Sequence, residues 1–162
     1  MSKFVNLLNE LEIPKHDGRK ISLCTKDGRP LRIQFPRMYM PFGVSGFTPE
    51  VGPTKYSLDF AMKGYDEDDN YVKKFYETMR EFEERIIDAV EEQSEHIFKR
   101  KVSKDELKGM FFSNIKESPD REPKFRVKVD VNMDGKIKPH VYDEAKNPIG
   151  NVDCKNGLYS RN

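Results

Sequence analysis

The sequence predicts an α+β fold that is mainly antiparallel β, a curved sheet or barrel interrupted by one long helix. Three observations predict it. Stretches within residues 21–35, 55–63 and 125–142 alternate apolar and polar side chains at the period of a strand. Two Asp-Gly pairs, Asp27-Gly28 and Asp134-Gly135, each sit between such runs, where a tight hairpin turn needs residues that tolerate positive φ. Residues 70–98 instead repeat apolar side chains at steps of three and four, the period of an amphipathic helix. A chain of 162 residues fits a single domain.

Residues 1–19 form an N-terminal lead, with Phe4, Leu7, Leu8, Leu11 and Ile13 on an amphipathic stretch closed by Pro14. Residues 20–63 read as β. Ile21 and Leu23, then Leu31, Ile33 and Phe35, flank the first Asp-Gly turn. The next stretch, "PRMYMPFGVSGFTPEVGPT", holds four prolines and three glycines and cannot be a continuous central strand. It carries Met38, Tyr39, Met40, Phe42, Val44 and Phe47, so it is a loop either tucked onto the core or exposed for binding. Tyr56, Leu58, Phe60 and Met62 alternate with Lys55, Ser57, Asp59 and Lys63, a half-buried strand ended by Gly64.

Residues 66–112 form a helical insertion. "DEDDN" supplies N-cap candidates and acids suited to the positive end of a helix dipole. One continuous helix follows from Asn70 to about Phe98, with Val72, Phe75, Met79, Phe82, Ile86, Val90 and Ile97 on its stripe and acids opposite. Ser103-x-x-Glu106 is a capping box and opens a short second helix to about Phe112. "PDREP" reads as a loop. Residues 124–142 form a β-hairpin, with Phe125, Val127, Val129 and Val131 turned inward and "KIKPHVYDE" as the partner strand. Residues 143–162 are an irregular tail with at most one short strand at Leu158 and Tyr159.

Composition narrows the function classes. Hydrophobic residues are 36% and charged residues 35%, but 11 Phe and 7 Tyr argue for a folded core. No run approaches the ~18 apolar residues of a membrane span, so no membrane partner is expected. The N-terminus lacks an apolar core followed by a small-residue cleavage site, so it is no secretory signal. Cys24 and Cys154 read as reduced thiols, and the expected location is intracellular. The net charge of +1 hides an acidic centre: residues 66–95 carry 12 acids against 4 bases, while residues 96–138 carry 12 bases against 7 acids. Such asymmetry points to a polyanionic partner. No Gly-rich phosphate loop, Cys-x-x-Cys, His-Glu-x-x-His or Gly-x-Ser-x-Gly motif is present. No metal or other cofactor and no enzyme activity are expected.

What remains is strands that carry cations. Arg126 and Lys128 share the outward face of one strand, and the Asp134-Gly135 turn is expected to bring Lys136 and Lys138 alongside. Arg32 and Arg37 flank the first sheet region. A basic groove tracks a phosphate backbone, and aromatic rings within it stack on bases. Tyr39, Phe42, Phe47, Phe111 and Tyr142 are the aromatics placed to serve.

The order of parts is a hairpin, a Pro/Gly/aromatic crossing, the strand "KYSLDFAMK", the acidic helix, a Lys-rich helix ending "FFSNIK", and "FRVKVDV". It resembles the single-stranded-DNA-binding proteins of short-tailed coliphages and their relatives in large eukaryotic DNA viruses such as phycodnaviruses and mimivirus-like viruses. The likeness covers roughly residues 21–142. It implies an OB-fold-like antiparallel barrel with the long helix inserted between strands and capping one end. It also implies a role in DNA replication or recombination in the cytoplasm or nucleus of an infected cell. Single-stranded DNA is then the expected partner, with replication proteins and a second copy of the chain as further candidates. Two features depart from that family: no Trp-bearing strand pair follows the second Asp-Gly turn, and no acidic tail ends the sequence. A truncated tail or a differently closed barrel accounts for both. Two alternatives stand beside this reading. One is a structural or interaction protein, such as a virion component, and the other a metal-dependent hydrolase built on the cluster Asp66 to Asp69.

Overall fold

The computed structural model describes residues 5–149. The expected tail strand at Leu158 and Tyr159, and Cys154, lie outside these residues. Among the described residues the fold is α+β, with four helices and antiparallel sheets. It divides into two compact units, Met1–Arg37 with Gly64–Ser113, and Met38–Lys63 with Asn114–Asn162.

The first unit is mainly helical. It holds α1 (Val5–Glu10), a two-stranded ladder of β1 (Leu11–Glu12) and β2 (Cys24–Thr25), α2 (Tyr71–Glu92), α3 (Ser94–Phe98) and α4 (Lys104–Met110). Asn70 is the N-cap of α2, its Oδ1 accepting from Val72 N at 2.9 Å. Gly64 approaches this cap so closely that a Cβ there would lie 2.1 Å from Asn70 Nδ2, and its φ of +82° also favours glycine. The apolar stripe buries Val72, Phe75, Met79, Phe82 and Ile87, with Phe35 packed on Phe75 at 5.3 Å between ring centroids. Ile87, Val102 and Leu107 form a second cluster, joined by Val90 and Phe111. Phe111 therefore packs in this unit.

The single helix expected to Phe98 is split at Gln93. The Gln93 backbone leaves helical geometry, and its Oε1 accepts from His16 N at 2.7 Å. Ser94 is buried and its Oγ accepts from Val102 N at 3.1 Å. These polar residues interrupt the stripe because they anchor neighbouring segments. The capping box of α4 is half formed. Ser103 Oγ accepts from Glu106 N at 3.2 Å, but the Glu106 carboxylate turns to Arg100. The helix ends at Met110, before the expected Phe112, because Phe111 adopts extended backbone.

The hairpin expected over residues 20–35 is also shorter. The Asp27-Gly28 turn forms, with Gly28 at φ +82° and Thr25 N donating to Arg29 O at 2.8 Å. Beyond it only an isolated bridge joins Cys24 to Pro30, and residues 31–37 make no ladder. Their alternation records one-sided burial: Leu31, Ile33 and Phe35 are half-buried, while Arg32, Gln34 and Arg37 are exposed.

The second unit is a four-stranded antiparallel sheet in the order β3 (Ser45–Phe47), β4 (Lys55–Ala61), β6 (Arg121–Val129), β5 (Ile115–Ser118), with a separate pair of β7 (Val141–Tyr142) and β8 (Pro148–Ile149). "PDREP", expected as a loop, is a two-residue turn, Pro119-Asp120, followed by the start of β6; Ser118 pairs with Arg121. β3 and β5 are open edges, and among the described residues the sheets do not close into the expected barrel. One face of the sheet is apolar. Tyr56, Leu58 and Phe60 oppose Val129, Val127 and Phe125, and Ile115 opposes Phe125; Phe125, Val129, Ile115, Met62 and Pro123 are buried.

Candidate nucleic-acid interface

The same register builds the other face. Side chains alternate along a strand, so β4 sends Lys55, Ser57, Asp59 and Ala61 to the polar side. There Lys128 opposes Ser57, Arg126 opposes Asp59, and Lys124 opposes Ala61. From the two edges, Lys116 opposes Lys124 and Phe47 opposes Lys55. A backbone bridge pairs Tyr39 with Ala61, Ala61 N donating to Tyr39 O at 2.7 Å.

Aromatic rings and cations meet on this surface. Lys63 Nζ lies 4.8 Å from the centroid of Tyr39, and Lys124 Nζ lies 5.4 Å from that of Phe42. Tyr39, Phe42 and Phe47 are 53%, 59% and 67% exposed. The loop from Met38 to Phe47 thus presents these three rings to solvent. Lys55, Lys63, Lys116 and Lys124 have no carboxylate within ion-pair distance among the described residues. Lys116 and Lys124 are moreover a directly opposed like-charge pair, which is unfavourable in an isolated sheet.

The centre of the face carries a carboxylate. Arg126 Nε donates to Asp59 Oδ1 at 2.7 Å and Nη2 donates to Oδ2 at 3.0 Å, a forked, charge-assisted pair. The hydrogen bond from Arg126 holds the Asp59 carboxyl below its ordinary value. It outweighs the opposing effect of burial and is aided by the charges of Arg126, Lys124 and Lys116.

The residues expected from sequence to bind a strand are distributed unevenly. Arg126 and Lys128 lie on the polar face, Arg126 committed to Asp59 and Lys128 in an exposed pair with Asp130 at 3.2 Å. Tyr39 and Phe42 lie at one end of it. Lys136 and Lys138 do not run alongside Arg126 and Lys128. The Asp134-Gly135 turn is pinned by Asn132, whose Oδ1 accepts from Asp134 N and Lys136 N, and Lys138 N donates to Asp130 O at 2.8 Å. A single bridge between Val131 and Ile137 replaces the expected hairpin ladder, so both lysines fall past the end of β6. Tyr142 is exposed on β7, and Arg32 and Arg37 belong to the helical unit. Sequence reasoning missed Lys55, Lys63, Lys116, Lys124 and Asp59. Lys124 was within reach, since it precedes Arg126 and Lys128 by one and two steps of the same alternation.

Two acids of "DEDDN" are tied to the start of α2. Lys73 pairs with Asp68 at 2.8 Å, and Asn70 Nδ2 donates to Glu67 Oε2 at 3.2 Å. Among the described residues no three His, Cys, Asp or Glu side chains converge where a metal ion could be held, and no helix is long and apolar enough to cross a membrane. No protein-family model matches the chain, and neither the curated proteins nor the solved structures contain a match.

Proposed function

We propose that this chain is a non-enzymatic single-stranded-DNA-binding protein and that the strand lies on the polar face of the four-stranded sheet. One observation carries the reading: cations without carboxylate partners share that face with exposed aromatic rings, Lys124 over Phe42 and Lys63 over Tyr39. A face needed only for solubility is served by interspersed charges of both signs. Here Lys116 and Lys124 stand directly opposed, the nearby Asp59 carboxylate is committed to Arg126, and a further anion would relieve their repulsion. A phosphate backbone supplies that anion, and unstacked bases supply partners for the rings. In a duplex the base faces are hidden, so the rings favour single strands. The resemblance of the sequence to viral single-strand-binding proteins adds the setting, DNA replication or recombination in an infected cell. The OB-like barrel which that resemblance implies would add a groove to these contacts; the face as described needs no closure to make them.

The test is a fluorescence-anisotropy titration of a labelled mixed-sequence single strand and of its duplex, at two salt concentrations. Tighter binding of the single strand is expected, with log affinity falling by about 0.7 per phosphate contact for each tenfold rise in salt. Absence of salt-dependent binding to either form would overturn the reading. It would favour instead an interaction protein that meets a protein partner through Tyr39, Phe42 and Phe47.

A further inference from the structure

We infer that the Asp59–Arg126 pair reads base identity, favouring bases that carry an exocyclic amino group over thymine and uracil. The inference rests on the reading of this face as a single-strand site and names its specificity. A surface that only tracked phosphates would gain nothing from a carboxylate at its centre, because the carboxylate repels what the lysines attract. Asp59 nevertheless sits among Lys116, Lys124 and Arg126 and stays ionised there.

The geometry of the pair gives the carboxylate a use. The fork takes two of the five guanidinium N–H groups and leaves three. Each Asp59 oxygen keeps a further lone pair, and the Arg126 side chain remains 49% exposed and that of Asp59 16%. The pair therefore presents a donor and an acceptor side by side. Cytosine, adenine and guanine each set an amino or imino donor directly beside an acceptor at one end of the pairing edge, so one base satisfies both partners. Thymine and uracil hold their one donor between two carbonyl oxygens, one of which then faces the carboxylate. Carboxylates accepting from the cytosine amino group, and arginine donating to base acceptors, are established readout pairs. Position suits the role. Arg126 follows Lys124 by two residues on β6, about 7 Å, so a base next to the one stacked on Phe42 comes within reach of the pair.

The test compares oligo-dC with oligo-dT of equal length in a competition anisotropy assay. The parent protein is expected to bind oligo-dC about tenfold more tightly, within the range of a good bidentate base contact. Asp59→Asn is expected to remove that preference while raising affinity for oligo-dT. Freeing Arg126 for a phosphate should also steepen the salt slope by about 0.7. Arg126→Lys keeps the charge and loses the fork, so its salt slope should hold while the preference falls. Equal binding of the two strands by the parent, or a preference that survives Asp59→Asn, would overturn the inference and leave the pair as a cross-strand tie. Either result would leave the single-strand reading intact. Failure of the parent to bind either strand would overturn both.

Discussion

Along α2 and α4 most long cations have a carboxylate: Lys104 reaches Glu84 at 2.9 Å and Asp88 at 2.7 Å, Lys108 reaches Glu84 at 3.4 Å, and Arg85 reaches Glu81 at 3.0 Å. On the polar face of the sheet Lys55, Lys63, Lys116 and Lys124 have none within that range among the described residues. Both surfaces are rich in charge, but only one has spent it internally. The hydrogen bonds that Lys104 donates to Asp88 and Glu84 raise its pKa, and the one to Glu84 lowers the pKa of that carboxyl. A paired surface of this kind has little left for a polyanion. The sheet face keeps its cations available and adds exposed rings. The proposed function therefore assigns binding to the sheet unit and scaffold to the helical one, although bulk charge distinguishes neither.

The largest effect expected from a single change lies in the scaffold. Phe75 is fully buried and packs on Phe35. Phe75→Ala should cost about 3–5 kcal/mol, measured by urea denaturation. If it also weakened DNA binding under conditions where the protein is fully folded, the division of labour would fail. On the sheet, Phe42→Ala should reduce single-strand affinity by about 1–3 kcal/mol and leave stability nearly unchanged, since the ring is mostly exposed. Lys116→Ala combined with Lys124→Ala should flatten the salt slope by about 1.4, twice the single-contact value. Removing their mutual repulsion should leave stability equal or slightly higher.

A pH titration sharpens the contrast further. Asp59 has a depressed folded-state pKa. Its contribution to stability is therefore full above the ordinary carboxylate range and lost as pH falls through the lowered value. The stability difference between the parent and Asp59→Asn should accordingly be greatest near neutral pH and shrink in acid, read by denaturant unfolding across pH. The smallest effect is expected from Lys104→Ala. Its partners are exposed carboxylates on α2, and single-strand affinity and salt slope should both stay at the parent's values. A weakened complex there would move part of the interface onto the helices.

The parts of the fold legible in the sequence are those set by local rules. The strand Lys55–Ala61 follows from its alternation and the body of α2 from its three-four stripe, and Asn70 caps the helix as its position after the acids suggests. The misplaced parts depend on distant partners. β5 escaped notice because a register shift between Lys116 and Ser118 breaks its alternation and Pro119 follows at once. Residues 31–37 alternate without pairing because Phe35 is occupied by Phe75, 40 residues on. The site shows the same limit. Arg126 and Lys128 were readable as an outward row on one strand. Nothing local places Asp59, 67 residues away, in the fork of Arg126, or brings Lys116 opposite Lys124.

The most direct measurement of the central claim is photo-cross-linking of a bound single strand, with the modified residues identified by mass spectrometry. Adducts are expected on Tyr39, Phe42 or Phe47 and within the stretch 116–128, and their yield should fall at moderate salt when Lys116 and Lys124 are replaced together by alanine. Adducts confined to residues 64–113, or unchanged in the double variant, would contradict it.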